Sequence, residues 1–299
     1  METRTTIDLR SSVVQEHFTT GFTQSRDGTR IGFRQIGRGP AIVILHGSMS
    51  TGYNHVQLAA LLSDAFTVYI PDRRGFGLSG APGNDYGVQE DVEDLQSILE
   101  KTGAGHVFGV SVGAIIALKA AMTLPSIRKL ALYEPPLFTN RATPAAVMAR
   151  FDQELAQGRI AAALTTAMKG VPLASDAFSA MPRWLVEFMT GRMMAFEDKQ
   201  APGSYASFRQ LAPSLHHDGH VISEMSGRQA ELRAIQAAVL LLGGSATTTF
   251  LKGALRSLRT ALPQARYVEL PGLNHSSAWN GNRGGKPALI AQELRRFFA

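Results

Sequence analysis

The stretch His106-Val-Phe-Gly-Val-Ser-Val-Gly-Ala-Ile-Ile-Ala-Leu118 constrains the fold more than any other part of this chain. Residues His106 to Val110 are apolar and partly β-branched, as a short buried strand requires. After Ser111 the apolar positions Val112, Ile115, Ile116 and Leu118 follow helical spacing, with alanines between them. A strand that turns directly into a helix leaves one residue at a sharp corner. Gly109 and Gly113 flank it as G-x-S-x-G, where any side chain would block the close approach of helix to strand. Ser111 would then project its hydroxyl from the end of a sheet, beside the positive N-terminus of a helix and the backbone N–H of Val112. That is a nucleophile with half an oxyanion hole attached.

The surroundings repeat the strand–helix rhythm. His17 to Gln24 and Ile31 to Ile36 alternate apolar with polar residues around Arg26-Asp27-Gly28, the pattern of an antiparallel hairpin. Ala41 to Leu45 is a continuous apolar run and predicts a strand buried on both faces. A helix from about His55 to Ser63, a strand over Phe66–Ile70 and a helix over Val88–Lys101 with a C-capping Gly103 follow. Lys129 to Tyr133 is the next strand. Strands at Ala237–Leu242 and Tyr267–Leu270, with helices at Phe250–Leu262 and Pro287–Phe298, close the chain. Alternation of this kind implies a parallel sheet with helices on both faces.

Between Phe138 and about Arg233 the rhythm breaks. No strand is apparent, and alanine, methionine and aromatics dominate. The chain therefore divides into a core of residues 1–137 and 234–299 and a helical cap of residues 138–233 inserted after the sixth strand. Met148, Met168, Met181, Met193 and Met194 in the cap are suited to lining an adaptable apolar pocket. With Met49 from the core, the cap residues Trp184, Phe188 and Met189 are candidates for substrate contact. Residues 1–16 read as a loosely held arm.

Composition narrows the chemistry. The 299 residues contain no cysteine, which leaves no disulfide framework, thiolate metal site or cysteine nucleophile. The net charge of +6 comes from scattered basic residues without a nucleic-acid recognition motif. The charged N-terminal segment lacks the apolar core of a signal peptide, and no apolar run reaches membrane-spanning length. A cytoplasmic protein, monomeric or homodimeric, that binds neither nucleic acid nor membrane is the expectation. The cluster His216-His217-Asp218-Gly219-His220 reads as a solvated cap loop, since its spacing matches no standard ligand set, so no metal and no cofactor are expected. His17, His55 and His106 suit structural or surface roles.

The motifs LHGSMS (45–50), DRRGFGLSG (72–80), GVSVG (109–113) and LPGLNHS (270–276) stand in an order that resembles the α/β-hydrolase superfamily, over residues 17–299. The resemblance implies an α/β fold with a mostly parallel eight-stranded sheet flanked by helices. It further implies Ser111 as nucleophile and His275 as base, with His46 shaping the oxyanion loop. The second oxyanion donor falls at the Ser48 N–H, with Gly47 as the alternative. Most of the family carry an aspartate after the seventh strand. Here that loop reads Gly-Gly-Ser-Ala-Thr-Thr-Thr (243–249) and contains no carboxylate. Some members, certain lactone hydrolases among them, place a glutamate after the sixth strand, and Glu134 occupies that position. Asp72 is the runner-up, better suited to holding its own loop. The expected substrate is a small-molecule carboxylic ester or lactone with a bulky apolar portion, with a tilt towards a lactonase of the zearalenone-hydrolase kind. A serine argues against the halide-displacing and epoxide-opening branches, which need an aspartate nucleophile. The alternatives are C–C bond hydrolysis, a lyase or cyclase step on the same scaffold, and a non-catalytic ligand-binding protein.

Overall fold

The computed structural model of the chain describes residues 18–83, 86–173, 176–199 and 205–299. The expected N-terminal arm and His17 lie outside them. The strands are β1 (Thr19–Gln24), β2 (Arg30–Gly37), β3 (Ala41–Leu45), β4 (Thr67–Pro71), β5 (His106–Val110), β6 (Lys129–Tyr133), β7 (Ala238–Gly244) and β8 (Arg266–Leu270). They form one eight-stranded sheet in the order β1-β2-β4-β3-β5-β6-β7-β8. The β1–β2 hairpin and the β2–β4 pair are antiparallel; every other pair is parallel. At the hairpin turn Gly28 takes φ 85°, and Asp27 Oδ1 accepts the Thr29 N–H at 2.9 Å.

Alternation along each strand sends side chains to two separate cores. Val43, Leu45, Val107, Leu130, Leu132 and Leu241 face α2 (Val88–Thr102), α3 (Val112–Ala121) and α10 (Thr249–Ala261). Ile42, Ile44, Phe108, Ala131, Tyr133 and Leu240 face α1 (Val56–Leu62) and α11 (Pro287–Phe298). Covering both faces is why the central strands read as unbroken apolar runs. α2 ends as its sequence suggests: Gly103 adopts φ 66° and returns its N–H to Leu99 O at 2.9 Å.

Between β6 and β7 lie α4 (Ala142–Ala156), α5 (Ile160–Gly170), α6 (Asp176–Ala180), α7 (Arg183–Glu197), α8 (Phe208–Leu211) and α9 (Leu215–Met225), and no strand among the described residues. One expectation is corrected here. His216, His217 and His220 sit on the helix α9 rather than in a solvated loop. The apolar residues Leu215, Val221, Ile222 and Met225 keep helical spacing through the cluster, and Val221, Ile222 and Met225 are buried. No described helix is long and apolar enough to cross a membrane.

Candidate active site

The ends of β3, β5, β6 and β7 and the loop after β8 meet at the carboxyl edge of the sheet, where ligands bind in open α/β folds. Ser111 caps α3 with φ 55° and ψ −121°, a left-handed conformation that costs a side-chain-bearing residue about 1–3 kcal/mol. The fold holds it there. Ser111 N–H donates to Tyr133 O at 2.9 Å, and Ala114 N–H donates to Ser111 O at 3.0 Å. The flanking glycines are sterically required. A Cβ on Gly109 would lie 2.5 Å from Ala114 Cα, and one on Gly113 would lie 2.5 Å from Leu45 O and His46 O. Gly47 is pressed as closely: its Cβ would approach Ser111 Cβ to 2.7 Å.

The Ser111 hydroxyl lies 3.1 Å from His275 Nε2, and His275 Nδ1 lies 2.9 Å from Glu134 Oε2. The three side chains that the sequence singled out thus form one hydrogen-bonded chain. Glu134 is fully buried and has φ 48°, directly after the last residue of β6. Its carboxylate takes two further donors, one from the last residue of β7 and one from the loop that follows it. Gly244 N–H donates to Oε1 at 2.7 Å and Thr247 Oγ1 donates to Oε2 at 2.9 Å. The loop that lacks a carboxylate supplies the groups that hold one from the neighbouring strand. Gly244 can do so only as glycine, since a Cβ there would lie 2.0 Å from Leu273 O.

Besides Gly244, two supporting residues were not singled out by sequence reasoning. Thr247 is one; the threonine-rich replacement of an acidic loop was the available signal. Tyr133 is the other. Its hydroxyl donates to Asn274 O at 2.6 Å, tying the turn that carries His275 to the strand that carries Glu134. Asp72 spends its carboxylate on its own surroundings, accepting Gly52 N–H, Leu78 N–H and Arg34 Nη1 at 2.7–2.9 Å.

The loop after β3 passes over Ser111. His46 is fully buried, and burial, reinforced by nearby Arg73, holds its pKa well below the usual histidine value. It is therefore neutral, and its tautomer is fixed. Arg73 N–H donates to Nε2 at 3.0 Å, so Nδ1 carries the proton and donates to Gly47 O at 2.9 Å. Ser50 Oγ donates to the same carbonyl at 2.9 Å. Gly47, Ser48 and Val112 all line the space in front of Ser111. Among the described residues, neither Ser48 N–H nor Val112 N–H is taken by a loop or turn hydrogen bond. Next in the loop, Met49 adopts φ 52° and packs against Leu164 and Met194 of the helical insertion.

That space is a cavity of about 520 Å³ between the sheet edge and the insertion. Its walls are mainly apolar, with Met148, Leu164, Met168, Met193 and Ile222 from the inserted helices. Met49 lines it, but Trp184, Phe188 and Met189 do not, which corrects their expected place at the substrate. α7 buries Val186, Thr190 and Met194, so Trp184 and Phe188 point to solvent, 70% and 63% exposed. Met181 and Met194 are likewise absent from the lining. Among the described residues, the only grouping of side chains able to hold a metal ion is Asp152, His216 and His220, which is not part of this cavity.

Known proteins resemble this chain in sequence and fold. A crystal structure of an α/β hydrolase from Sphaerobacter thermophilus DSM 20745 superposes with a TM-score of 0.75 at 32% identity, covering 93% of this chain and 100% of that one. A pimeloyl-[acyl-carrier protein] methyl ester esterase from Stenotrophomonas maltophilia is 29% identical over 228 residues, 71% of this chain and 85% of the relative. The 2-(acetamidomethylene)succinate hydrolase of Mesorhizobium japonicum is 30% identical over 125 residues. That match spans 40% of this chain and less than half, 44%, of the relative. These relatives are hydrolases. The profile described as the alpha/beta hydrolase family matches residues 42–284, and the chain belongs to that family.

Proposed function

We propose that this protein is a cofactor-free serine hydrolase that cleaves a carboxylic ester or lactone with a bulky apolar portion. The observation that carries the reading is the hydrogen-bonded chain from Ser111 Oγ through His275 to Glu134, opening into an apolar cavity. His275 Nε2 takes the Ser111 proton as Oγ attacks the substrate carbonyl. Glu134 keeps the Nδ1 proton in place and balances the imidazolium that forms. The oxyanion lies against the Ser48 and Val112 N–H groups, with Gly47 N–H as the alternative donor; such donors supply about 3–4 kcal/mol each to the transition state. His275 returns the proton to the departing alkoxide, which for a lactone stays tethered to the acyl group. Water, deprotonated by the same imidazole, then releases the acid and regenerates Ser111. The helices between β6 and β7 act as a cap whose methionines adapt to the apolar part of the substrate. The placement of the acid after the sixth strand favours a lactone within this class.

The test combines covalent trapping with turnover. A fluorophosphonate should label Ser111 stoichiometrically, and short-chain p-nitrophenyl esters together with a panel of lactones should reveal turnover. An acyl adduct on Ser111 should be visible by mass spectrometry. Ser111→Ala should lose at least about 10⁴-fold in kcat. Turnover of a carbon-bond substrate with no adduct would instead assign Ser111 and His275 to proton transfer alone. Failure to label and to turn over any ester or lactone would leave a binding protein.

A further inference from the structure

We propose that Asp152, His216 and His220 form a binding site for a divalent transition metal, zinc or a neighbour that favours imidazole, on the outer side of the helical insertion. This reading is independent of the hydrolase chemistry.

The finding that α9 is a helix is what brings the site together. His216 and His220 are four residues apart on α9 and so share one face, the spacing by which helical histidine pairs grip zinc. Their rings approach edge to face, with centroids 4.6 Å apart. α4 supplies the third group. Asp152 Oδ1 lies 2.7 Å from His216 Nδ1, and the potential ligand atoms of all three side chains fall within 4.8 Å of one another. A tetrahedral zinc ion with bonds of 2.0–2.1 Å spaces its ligand atoms about 3.3 Å apart, so modest rotamer changes close the site. The side chains are free to make them: those of His216 and Asp152 are 40% and 37% exposed, and His220 is exposed.

Packing explains why the two helices present these groups together. α9 comes close to α4 at Gly219, where a Cβ would lie 2.0 Å from Met148 Sδ. Leu215 packs on the cluster of Met148 and Phe151. Met148 and Gly219 also line the substrate cavity, so an ion on the outer side would clamp the helix pair that forms part of its wall. When His216 Nδ1 ligates, its proton passes to solvent, and Asp152 changes from hydrogen-bond acceptor to ligand. Two imidazoles and one carboxylate select zinc, cobalt, nickel or copper over magnesium or calcium. With no cysteine in the chain, no thiolate competes for the ion. His217, between the two ligands in sequence, lays its ring against Tyr86 with centroids 4.5 Å apart, and it serves as a control.

The experiment uses the tag-free full chain, stripped with EDTA and titrated with zinc chloride by calorimetry and with cobalt chloride by visible absorption. We expect one ion per chain, a dissociation constant of about 10 μM or lower, and a melting temperature raised by several degrees at saturating zinc. His220→Gln and Asp152→Asn should each weaken binding at least about tenfold while keeping the metal-free melting temperature; His217→Gln should bind as the parent does. A parent that binds no zinc below about 1 mM would overturn the proposal. So would undiminished binding in His220→Gln and Asp152→Asn, which would place the ion elsewhere, for instance at His275.

Discussion

The corner that carries Ser111 and the helix that carries Trp184 are both rich in apolar residues, yet they differ in how tightly structure dictates each position. Around Ser111 the backbones of β3, β5 and α3 come so close that Gly47, Gly109 and Gly113 have no room for a Cβ. On α7, Val186, Thr190 and Met194 point inward while Trp184, Phe188 and Phe196 point to solvent. The corner admits one arrangement of one residue set. The helix is apolar around much of its circumference, and only its docking partners fix which stripe is buried. Steric exclusion, more than hydrophobicity, is what makes a functional position identifiable.

Glu134→Gln tests the tight region most sharply. Three donors converge on the carboxylate: Gly244 N–H, Thr247 Oγ–H and His275 Nδ1–H. A neutral amide offers one oxygen and brings an NH₂ group of its own. One oxygen position must then face a donor with a donor, or else His275 must adopt the wrong tautomer. We expect kcat to fall about 10³- to 10⁴-fold with a small change in KM. Stopped-flow or steady-state kinetics on a p-nitrophenyl ester check it; a loss under tenfold would show that the tight packing here serves the fold and not the reaction.

Burial keeps His46 and His55, near that region, uncharged, which makes stability depend on pH. His55 is fully buried, and desolvation lowers its pKa from 6.5 to about 4, while its Nδ1–H donates to Ala278 O at 2.9 Å. The unfolded chain binds a proton below pH 6.5, whereas the folded one binds it only near pH 4. Stability is therefore lost as pH falls through that window, by about 3 kcal/mol for this group, and the loss is complete below it. Urea unfolding at pH 7, 5.5 and 4 should show His55→Gln with a shallower decline than the parent. Equal declines would mean that the burial of this ring is not maintained in solution.

These expectations also show what the sequence could convey. The succession of strands and helices and the nucleophile corner were readable because glycine spacing and apolar periodicity follow directly from backbone geometry, whereas the late histidine was read from the resemblance to the α/β-hydrolase superfamily. Glu134 was readable because the loop 243–249 lacks an acid and some members of the resembled family carry a glutamate after the sixth strand. Its donors, Gly244 and Thr247, were not, since a hydrogen bond between residues 134 and 247 depends on β6 and β7 lying side by side. The helical state of residues 215–225 was obscured by His-His-Asp-Gly-His, a polar run with a glycine, both loop signals. There the packing of Val221, Ile222 and Met225 outweighs propensity. The outward turn of Trp184 and Phe188 was hidden for the reason given above: helix phase is a tertiary property.

Thr247→Val sharpens the comparison at a smaller scale. The change keeps the shape of the side chain and removes one donor to Glu134 Oε2. Hydrogen bonds to charged groups contribute about 1.5–3 kcal/mol, and Gly244 and His275 still hold the carboxylate, so a fall of about tenfold in kcat is expected. The melting temperature should fall by a few degrees. A variant as active as the parent would show that two donors suffice to orient the acid.

The smallest effect should come from the loose region. Trp184→Ala and Phe188→Ala remove large side chains that are mostly in contact with water and lie outside the cavity. Each should shift unfolding free energy by no more than about 0.5 kcal/mol and leave kcat/KM within about twofold of the parent. Met148→Ala, on the buried face of α4 and in the cavity wall, should instead cost about 2–5 kcal/mol and raise KM for bulky esters. If Trp184→Ala raised KM as Met148→Ala does, the outward face of α7 would have to fold over the substrate during turnover, and the two faces of that helix would exchange their assigned parts.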